Sequence, residues 1–278
     1  MTDRKWLVNT ALYAVLILAA ITFLIPIFVV LINSFKGQFF ISSDPFSLPV
    51  GDLFVGLENY VSGIRKIGFF QAFATSLFIT VTSTAAILLL TSMTAWYLVR
   101  VKNVATKGLY YLFVASMIVP FQMVMFTMSK IANLLRLDNP LGIVIIYVGF
   151  GAGLSVFLFC GFIKAIPVQI EEAAVVDGCT PIQGYFHVIL PILRPTMITV
   201  AILNAMWIWN DYLLPYLVIG NNYKTLPVAV QYLQGGYGSR DMGALMAMLV
   251  LSIVPIVVFY LSCQKHIIRG MIAGAVKG

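Results

Sequence analysis

The side chains that could do chemistry in this chain are few and widely spaced. Its two histidines are His187 and His266, and its three cysteines form no Cys-x-x-Cys pair. A metal site needs such ligands at short, regular spacing, and neither His-Glu-x-x-His nor the Gly-rich phosphate loop ending in Gly-Lys-Ser/Thr occurs. We therefore predict no catalytic residue, no metal site and no cofactor bound by this chain.

One candidate site is an acidic stretch at residues 171–191, EEAAVVDGCTPIQGYFHVILP. Glu171 and Glu172 fall early in a predicted helix, where the helix dipole favours carboxylates. Gly178 can end that helix in the left-handed conformation. Thr180 and Gln183 have the spacing of a capping box, which starts a second helix. The stretch therefore predicts a helix–turn–helix.

A second candidate site surrounds Asp211, the one acidic residue inside a long apolar run. An isolated charge at the bilayer centre costs ~2.5–3.5 kcal/mol on insertion scales, so such a residue is a functional candidate. Its neighbours in sequence are aromatic or polar: Trp207, Trp209, Asn210 and Tyr212. Aromatic faces can stack on sugar rings, and amide and carboxylate groups can bind hydroxyls. The alternative is structural, with Asp211 pairing to a partner chain or capping a helix that breaks before Pro215.

The elements that must position these residues are long apolar segments. Hydrophobic residues make up 61% of the 278 residues and charged residues only 10%, whereas a soluble domain carries about 25% charged residues. A helix needs about 20 apolar residues to cross a bilayer. Six segments meet this length, at residues 8–33, 69–99, 108–130, 140–163, 195–219 and 242–264. We predict an all-α integral membrane protein with six transmembrane helices, forming one domain over residues 1–278.

The basic residues predict the orientation of the chain in the membrane. The net charge is +7, but the basic residues are dispersed over the loops, which argues against nucleic-acid binding. If both termini are cytoplasmic, ten of the 17 Lys and Arg residues fall on the inner side, as the positive-inside rule favours. The sequence thus predicts cytoplasmic N and C termini, a cytoplasmic loop at 164–194 between spans 4 and 5, and a cytoplasmic tail at 265–278.

The acidic stretch also carries a longer pattern. It contains Glu-Ala-Ala at 172–174, then Gly178, then Leu-Pro at 190–191. This pattern resembles the cytoplasmic signature of the permease subunits of ABC importers. The stretch WNDYLLP at 209–215 and the ending RGMIAGAVKG are similar to the carbohydrate-uptake branch, in particular to the smaller maltose-type permease with six spans.

The resemblance implies a mechanical role for the helix–turn–helix, as a coupling element that docks into a cleft on a cytoplasmic ATPase subunit. ATP and Mg²⁺ would then bind to that partner. The residues expected at the contact are Glu172, Ala173, Ala174, Asp177, Gly178, Leu190 and Pro191. The implied partners are a second permease, forming a heterodimer, two ATPase subunits, an extracellular binding protein, and a sugar, either an oligosaccharide or a related polyol. The implied location is the plasma or inner membrane, crossed several times.

The substrate path and the outer loop supply further candidates. The path candidates are Gln122, Asn204, Trp207, Trp209, Asn210, Asp211 and Tyr212. For Gln122 and Asn204 a hydrogen bond between helices is an alternative role. The loop before span 6 holds Gln234, Gly235, Gly236 and Tyr237, which could reach a docked binding protein or form a plain surface turn.

Three other classes of function compete with this interpretation. A secondary transporter driven by an ion gradient should show several intramembrane ionisable groups and inverted repeats, and the sequence shows one Asp and no repeat. A membrane enzyme would need a nucleophile with a base, or metal ligands. A non-transporting assembly subunit is compatible with the sequence, and loss of uptake on deleting the chain would distinguish it.

Overall fold

The computed structural model describes residues 2–220, 222–235 and 240–275, with the backbone alone described for residues 2–5, 7, 8 and 265–275. Within these ranges the regular structure is helical, with one isolated β-bridge between Lys36 and Phe54, which confirms the all-α prediction. The helices are α1 (Thr2–Asn33), α2 (Gln38–Ser43), α3 (Glu58–Ile67), α4 (Phe69–Arg100), α5 (Val104–Ser116), α6 (Phe121–Leu134), α7 (Pro140–Ile163), α8 (Gln169–Val176), α9 (Pro181–Gly184), α10 (Leu190–Ile192), α11 (Arg194–Asn210), α12 (Leu213–Val218), α13 (Leu226–Gln231) and α14 (Met242–Ala275). A π-helical turn, Tyr185–Ile189, joins α9 to α10.

Four helical segments of the described chain are long and apolar enough to cross a membrane. They are Asn9–Asn33, Phe69–Arg100, Pro140–Ile163 and Met242–Gln264. Two further pairs of helices pass the same test only when each bent pair is taken as one span, Val104–Ser116 with Phe121–Leu134 and Pro181–Ile192 with Arg194–Asn210, which gives up to six. The described part of the chain therefore contains four to six candidate spans.

The structure differs from the predicted continuous spans 108–130 and 195–219. The first is divided into α5 and α6, which meet at an angle of 105°. Pro120 lies at the break and has an extended backbone. A proline breaks a helix because it cannot donate an amide hydrogen bond and because it disfavours helical geometry in the residue before it. The second ends as a helix at Asn210, where Asp211 turns to an extended conformation before α12 begins.

Contacts divide the chain into two compact units, the described residues of Met1–Phe70 with Ala229–Val254, and those of Gln71–Val228 with Pro255–Gly278. In the second unit, α7 packs closely because it presents glycines to its neighbours. A Cβ atom at Gly151 would lie 2.6 Å from Cδ1 of Ile87 and 2.8 Å from Oδ1 of Asn204. Small residues at such positions let membrane helices approach closely.

The first unit is held by polar contacts around its loops. The Lys36 side chain is fully buried, and its ammonium donates to the carbonyl of Asp44 at 2.9 Å. Asn59 donates to the carbonyls of Ser34 and Lys36. Asp241, just before α14, accepts from the Ala244 amide and pairs with the ammonium of Lys66. Partial burial raises the pKa of Asp241, but the hydrogen bonds from Lys66 and Ala244 lower it by more, so that this pKa lies below its ordinary value.

Candidate functional site

The predicted helix–turn–helix is present, and its turn is closed by backbone hydrogen bonds. The helix α8 ends at Val176, and Gly178 follows with φ +86°. The Gly178 amide donates to the carbonyl of Val175, and the Cys179 amide donates to that of Ala174. This pair of bonds is the Schellman motif, which satisfies carbonyls at a helix end. The prediction that Gly178 ends the helix in the left-handed region is confirmed.

The second helix starts as its sequence predicts. The Thr180 hydroxyl accepts from the Gln183 amide, and the Gln183 side chain accepts from the Thr180 amide at 2.8 Å. Pro181 occupies the first helical turn, where the missing amide hydrogen costs nothing. The two helices therefore follow from local residue types alone.

Glu171 fixes the start of α8 to the end of α4. Its Oε1 accepts from Nε and Nη2 of Arg100, at 2.7 and 2.6 Å. Its Oε2 accepts from the indole N–H of Trp96 at 2.9 Å. Arg100 also donates to the carbonyl of Ile166, just before α8. Both charged side chains are largely buried, with exposed fractions of 16% for Arg100 and 17% for Glu171, so this pair is shielded from water.

Tyr185 makes a second attachment to the same helix. Its side chain is fully buried, and its hydroxyl lies 2.7 Å from Oγ of Ser92. Its ring lies 5.3 Å, centroid to centroid, from that of Trp96. Ser92, Trp96 and Arg100 are spaced by four residues and so share one face of α4. That face holds both halves of the helix–turn–helix.

The side of α8 away from these attachments is exposed. Glu172 and Asp177 are exposed and form no side-chain hydrogen bond or ion pair within the described residues. Val175 and Val176 have exposed fractions of 59% and 86%. Exposed apolar side chains beside unpaired carboxylates are typical of a protein contact surface.

The other predicted contact residues are divided between interior and surface. Ala173, Gly178 and Pro191 are exposed, and Leu190 is half-buried. Ala174 is buried, with 7% of its surface exposed. Of the two alanines expected at the contact, Ala173 is therefore available and Ala174 is not, because the anchored side of α8 takes Ala174 inward.

Asp211 acts as a cap at the break between α11 and α12. Its Oδ1 accepts from the amides of Leu213 and Leu214, at 3.0 and 3.4 Å. Its Oδ2 accepts from the hydroxyl of Tyr147 at 3.1 Å. The rings of Tyr147 and Trp207 meet in a T-shaped contact, with centroids 5.4 Å apart. The carboxylate therefore has the structural partners of the capping alternative.

The remaining path candidates differ in exposure. Gln122, Trp207 and Asn210 are exposed, and Trp207 has an exposed fraction of 40%. Asn204 is buried, and its amide donates to Oγ of Ser155 at 3.1 Å, as the helix–helix alternative predicts. Trp209 is buried, and its ring centroid lies 5.6 Å from that of Phe73. The Tyr212 ring stacks on that of Tyr216, with centroids 5.2 Å apart.

The outer-loop candidates are described in part. Gln234 is exposed and its side chain accepts from that of Gln231 at 3.1 Å. Gly235 has φ +90°, a conformation that favours glycine. Gly236 and Tyr237 lie outside the described residues.

Sequence reasoning missed the anchoring residues of α4 and Tyr185. Ser92, Trp96 and Arg100 lie inside or at the end of a predicted span, where hydropathy treats them as isolated polar exceptions. Their four-residue spacing was the available signal, because three hydrogen-bonding side chains on one helix face predict a packed polar contact. Tyr147, the partner of Asp211, carried no comparable signal.

Comparison with known proteins identifies the family. Residues 87–273 match the family described as "Binding-protein-dependent transport system inner membrane component". The "Probable starch degradation products transport system permease protein AmyC" of Thermoanaerobacterium thermosulfurigenes is 38% identical over 262 residues, covering 94% of each chain. The "Multiple sugar-binding transport system permease protein MsmG" of Streptococcus mutans is 34% identical, covering 95% of this chain and 96% of the relative.

A solved structure has the same fold. A chain of a bacterial ABC transporter involved in the import of the acidic polysaccharide alginate superposes with a TM-score of 0.76 and 22% identity, covering 95% of this chain and 97% of that one. The family is one of transport permeases rather than of catalytic subunits. The family match covers more than half of the chain, and the two relatives cover nearly all of it. The chain therefore belongs to the binding-protein-dependent transport system inner membrane component family and, as its sequence resemblance predicted, to the carbohydrate-uptake ABC permeases.

Proposed function

We propose that this chain forms half of the translocation path of an ATP-driven importer for an oligosaccharide or related polyol, and that α8 transmits the ATPase cycle to it. The names of its relatives, which specify starch degradation products and multiple sugars, support the substrate class. One observation carries the coupling role: α8 is attached to α4 on one side, and on the other side its carboxylates have no partner among the residues that the structure describes.

The attachment makes α8 a lever rather than a flexible loop. A force applied to its exposed side passes to α4 through the Glu171–Arg100 pair and through the ring contact of Tyr185 with Trp96. α4 is a candidate span of 32 residues. Motion of an ATPase surface against α8 would therefore move a membrane helix directly, as rigid-body coupling requires.

The exposed side of α8 fits an ATPase cleft by its chemistry. Glu172 can pair with a basic side chain of the partner, and Val175 and Val176 can fill an apolar cleft. Ala173 lets the partner approach closely. Leu190 and Pro191, after the π-helical turn, complete the contact in this proposal.

The proposed topology has six spans: the four long helical segments, the bent pair α5–α6, and the segment 195–219, which contains α11 and α12. Both termini then lie in the cytoplasm, as do the loop 164–194 and the tail 265–278, and residues 1–278 form one transmembrane domain. In this arrangement a second permease completes the path and two ATPase subunits bind ATP and Mg²⁺. An extracellular binding protein delivers the sugar and contacts the loop holding Gln234 and Gly235.

Among the path candidates, we propose that Trp207, Asn210 and Gln122 contact the sugar. Their exposure leaves them available, and an aromatic face with two amides suits a ring bearing hydroxyls. Asp211 would position Trp207 and Asn210, since its cap and its hydrogen bond with Tyr147 hold the end of α11, where these two residues lie.

Site-specific crosslinking tests the coupling role. A single cysteine replaces Ala173 in a chain whose native thiols have been removed, and the chain is co-expressed with its ATPase subunits. We expect a crosslink to the ATPase whose yield changes when ATP is added. A cysteine at Leu134, which is 71% exposed and lies at the proposed outer end of α6, is the matched control and should not crosslink.

Either of two results would overturn the proposal. One is an intact complex with Ala173→Cys exposed to cytoplasmic reagents but without any crosslink. The other is an equal crosslink from the Leu134 control.

A further inference from the structure

A basic cavity of about 1240 Å³ lies in the second unit where α4, α5 and α7 end or begin. Four of its lining side chains are cationic: Arg100, Lys102, Lys107 and Lys164. The one lining carboxylate, Glu171, is already committed to Arg100 and Trp96. The cavity thus carries three lysines with no acidic partner among the described residues.

The wall that carries two of these lysines is rigid. Asn103 and Thr106 form a reciprocal capping box at the start of α5. The buried Thr106 hydroxyl also donates to the carbonyl of Val101 at 2.7 Å. Lys102 and Lys107 lie next to these hydrogen-bonded residues, so their backbone positions are fixed. The first turn of α5, the positive end of its dipole, also lines the cavity.

The third lysine, at the end of α7, contacts an aromatic ring of α5. The Lys164 ammonium lies 5.1 Å from the ring centroid of Tyr110, within the range of a cation–π contact. Lys164 directly follows the last residue of α7. The three ammonium groups therefore stand around a cavity at the ends of apolar helices, where an anion would neutralise them.

Beside the lysines the cavity lining is apolar and open to the outside. Val104 and Tyr111 both line it and have exposed fractions of 90% and 58%. Leu112, on the same stretch of α5, is 66% exposed. A ligand that matches this surface has a negative head and an apolar body. A soluble anion would use the lysines but leave this apolar edge in water.

We propose that this cavity binds an anionic phospholipid, with its phosphate held by Lys102, Lys107 and Lys164 and its acyl chains lying along Val104 and Tyr111. Basic pockets between transmembrane helices suit such head groups. Because Ile166 and Glu171 also line the cavity, the lipid touches the start of α8. This assignment is independent of the ATPase contact proposed above, which lies on the exposed side of α8.

Photo-crosslinking with a photoactivatable phosphatidylglycerol tests the proposal. The assembled transporter is placed in phosphatidylcholine nanodiscs containing a small fraction of the probe, and labelled peptides are mapped by mass spectrometry. We expect labelling of peptides spanning 98–111 and 160–171. The triple variant Lys102→Gln, Lys107→Gln, Lys164→Gln should reduce that labelling roughly tenfold or more.

A matched variant controls for the loss of three positive charges. Lys130, Arg136 and Arg240 are exposed and lie outside the cavity; changing all three to Gln should leave the labelling unchanged. Circular dichroism and co-purification with the partner subunits verify that both triple variants are folded and assembled.

Three outcomes would overturn the proposal. Equal labelling of these peptides in wild type and cavity variant would show that the lysines do not select the lipid. Competition by glycerol 3-phosphate as efficient as that by phosphatidylglycerol would identify a free-phosphate site instead. Absence of label from these peptides in the assembled transporter, with label elsewhere, would show that a subunit covers the cavity.

Discussion

Replacing Glu171 by Gln should release α8 from α4 while leaving the spans folded. The change keeps the size of the side chain but removes the charge that faces Arg100. It also replaces one carboxylate oxygen by an NH₂ group, so that either the Arg100 guanidinium or the Trp96 indole loses its acceptor. The neighbouring change Glu172→Gln removes the same charge from an exposed side chain without partners in the described chain, and is the matched control.

The expected cost follows from the burial of the pair. Breaking a fully buried ion pair by removing one partner costs about 3–5 kcal/mol. Here about a sixth of each side chain remains exposed, and Gln can still accept one hydrogen bond, so we expect about 2–3 kcal/mol. At 1.4 kcal/mol per factor of ten, the equilibrium between attached and released α8 shifts roughly 30- to 150-fold.

Amide hydrogen exchange measures this equilibrium. An eight-residue helix is not stable alone in water, so release of α8 exposes its amides. We expect exchange of residues 171–177 to accelerate by the factor given above in Glu171→Gln, and to be unchanged in Glu172→Gln. Exchange at the wild-type rate in Glu171→Gln would refute the conclusion that this ion pair anchors α8.

Further predictions concern the turn, the helix packing, the first unit and the cap. Gly178→Ala should destabilise the turn by about 1–2 kcal/mol because φ is +86° there, seen as faster exchange of its amides; unchanged exchange would contradict the strain. Gly151→Val should lower stability by about 1–3 kcal/mol through overpacking, whereas Gly149→Ala, where a Cβ meets no atom within 4 Å, should not; thermal unfolding compares them, and equal melting temperatures would count against the close packing. The lowered pKa of Asp241 stabilises the fold above its ordinary pKa of 3.8, and this stability is lost as pH falls through the lowered value; Asp241→Asn should remove that step from acid unfolding, and a persisting step would have another source. Asp211→Asn should keep the cap and the assembled complex, while Asp211→Ala should cost about 1 kcal/mol; loss of assembly in the Asn variant would show that the charge itself is structural.

Local structure in the coupling element could be predicted because neighbouring residues determine it. The amides of Gly178 and Cys179 close a Schellman motif by donating to carbonyls three and five residues back, and Thr180 exchanges hydrogen bonds with Gln183. Such contacts depend on residue type and short spacing, both of which the sequence displays. The family signature added a functional meaning to a turn that was already predictable.

The attachment of α8 could not be predicted because it joins distant parts of the chain. Glu171 and Arg100 are 71 residues apart, and Tyr185 and Ser92 are 93 apart. From the sequence, Glu171 was explained by its favourable position in the helix dipole, and Glu172 was the glutamate predicted to contact the ATPase. Only the packing of α8 against α4 decides which carboxylate faces inward.

The bends in the apolar segments were hidden for a different reason. Hydropathy records whether a segment is apolar enough to lie in a membrane, and it is insensitive to direction. A proline such as Pro120 favours a break in a helix, but the 105° angle between α5 and α6 depends on how both helices pack. At Asp211 the sequence suggested substrate contact and capping, and the structure supplies the hydrogen bonds of a cap.

The most direct test of the central claim is sugar uptake by the reconstituted transporter. Proteoliposomes containing this chain, its partner permease and the ATPase subunits are supplied with the binding protein and a radiolabelled maltooligosaccharide, with ATP on the ATPase side. We predict uptake that requires ATP hydrolysis and is abolished by Glu172→Lys while the complex remains assembled. Uptake driven by an ion gradient without ATP, or uptake undiminished by Glu172→Lys, would contradict the account.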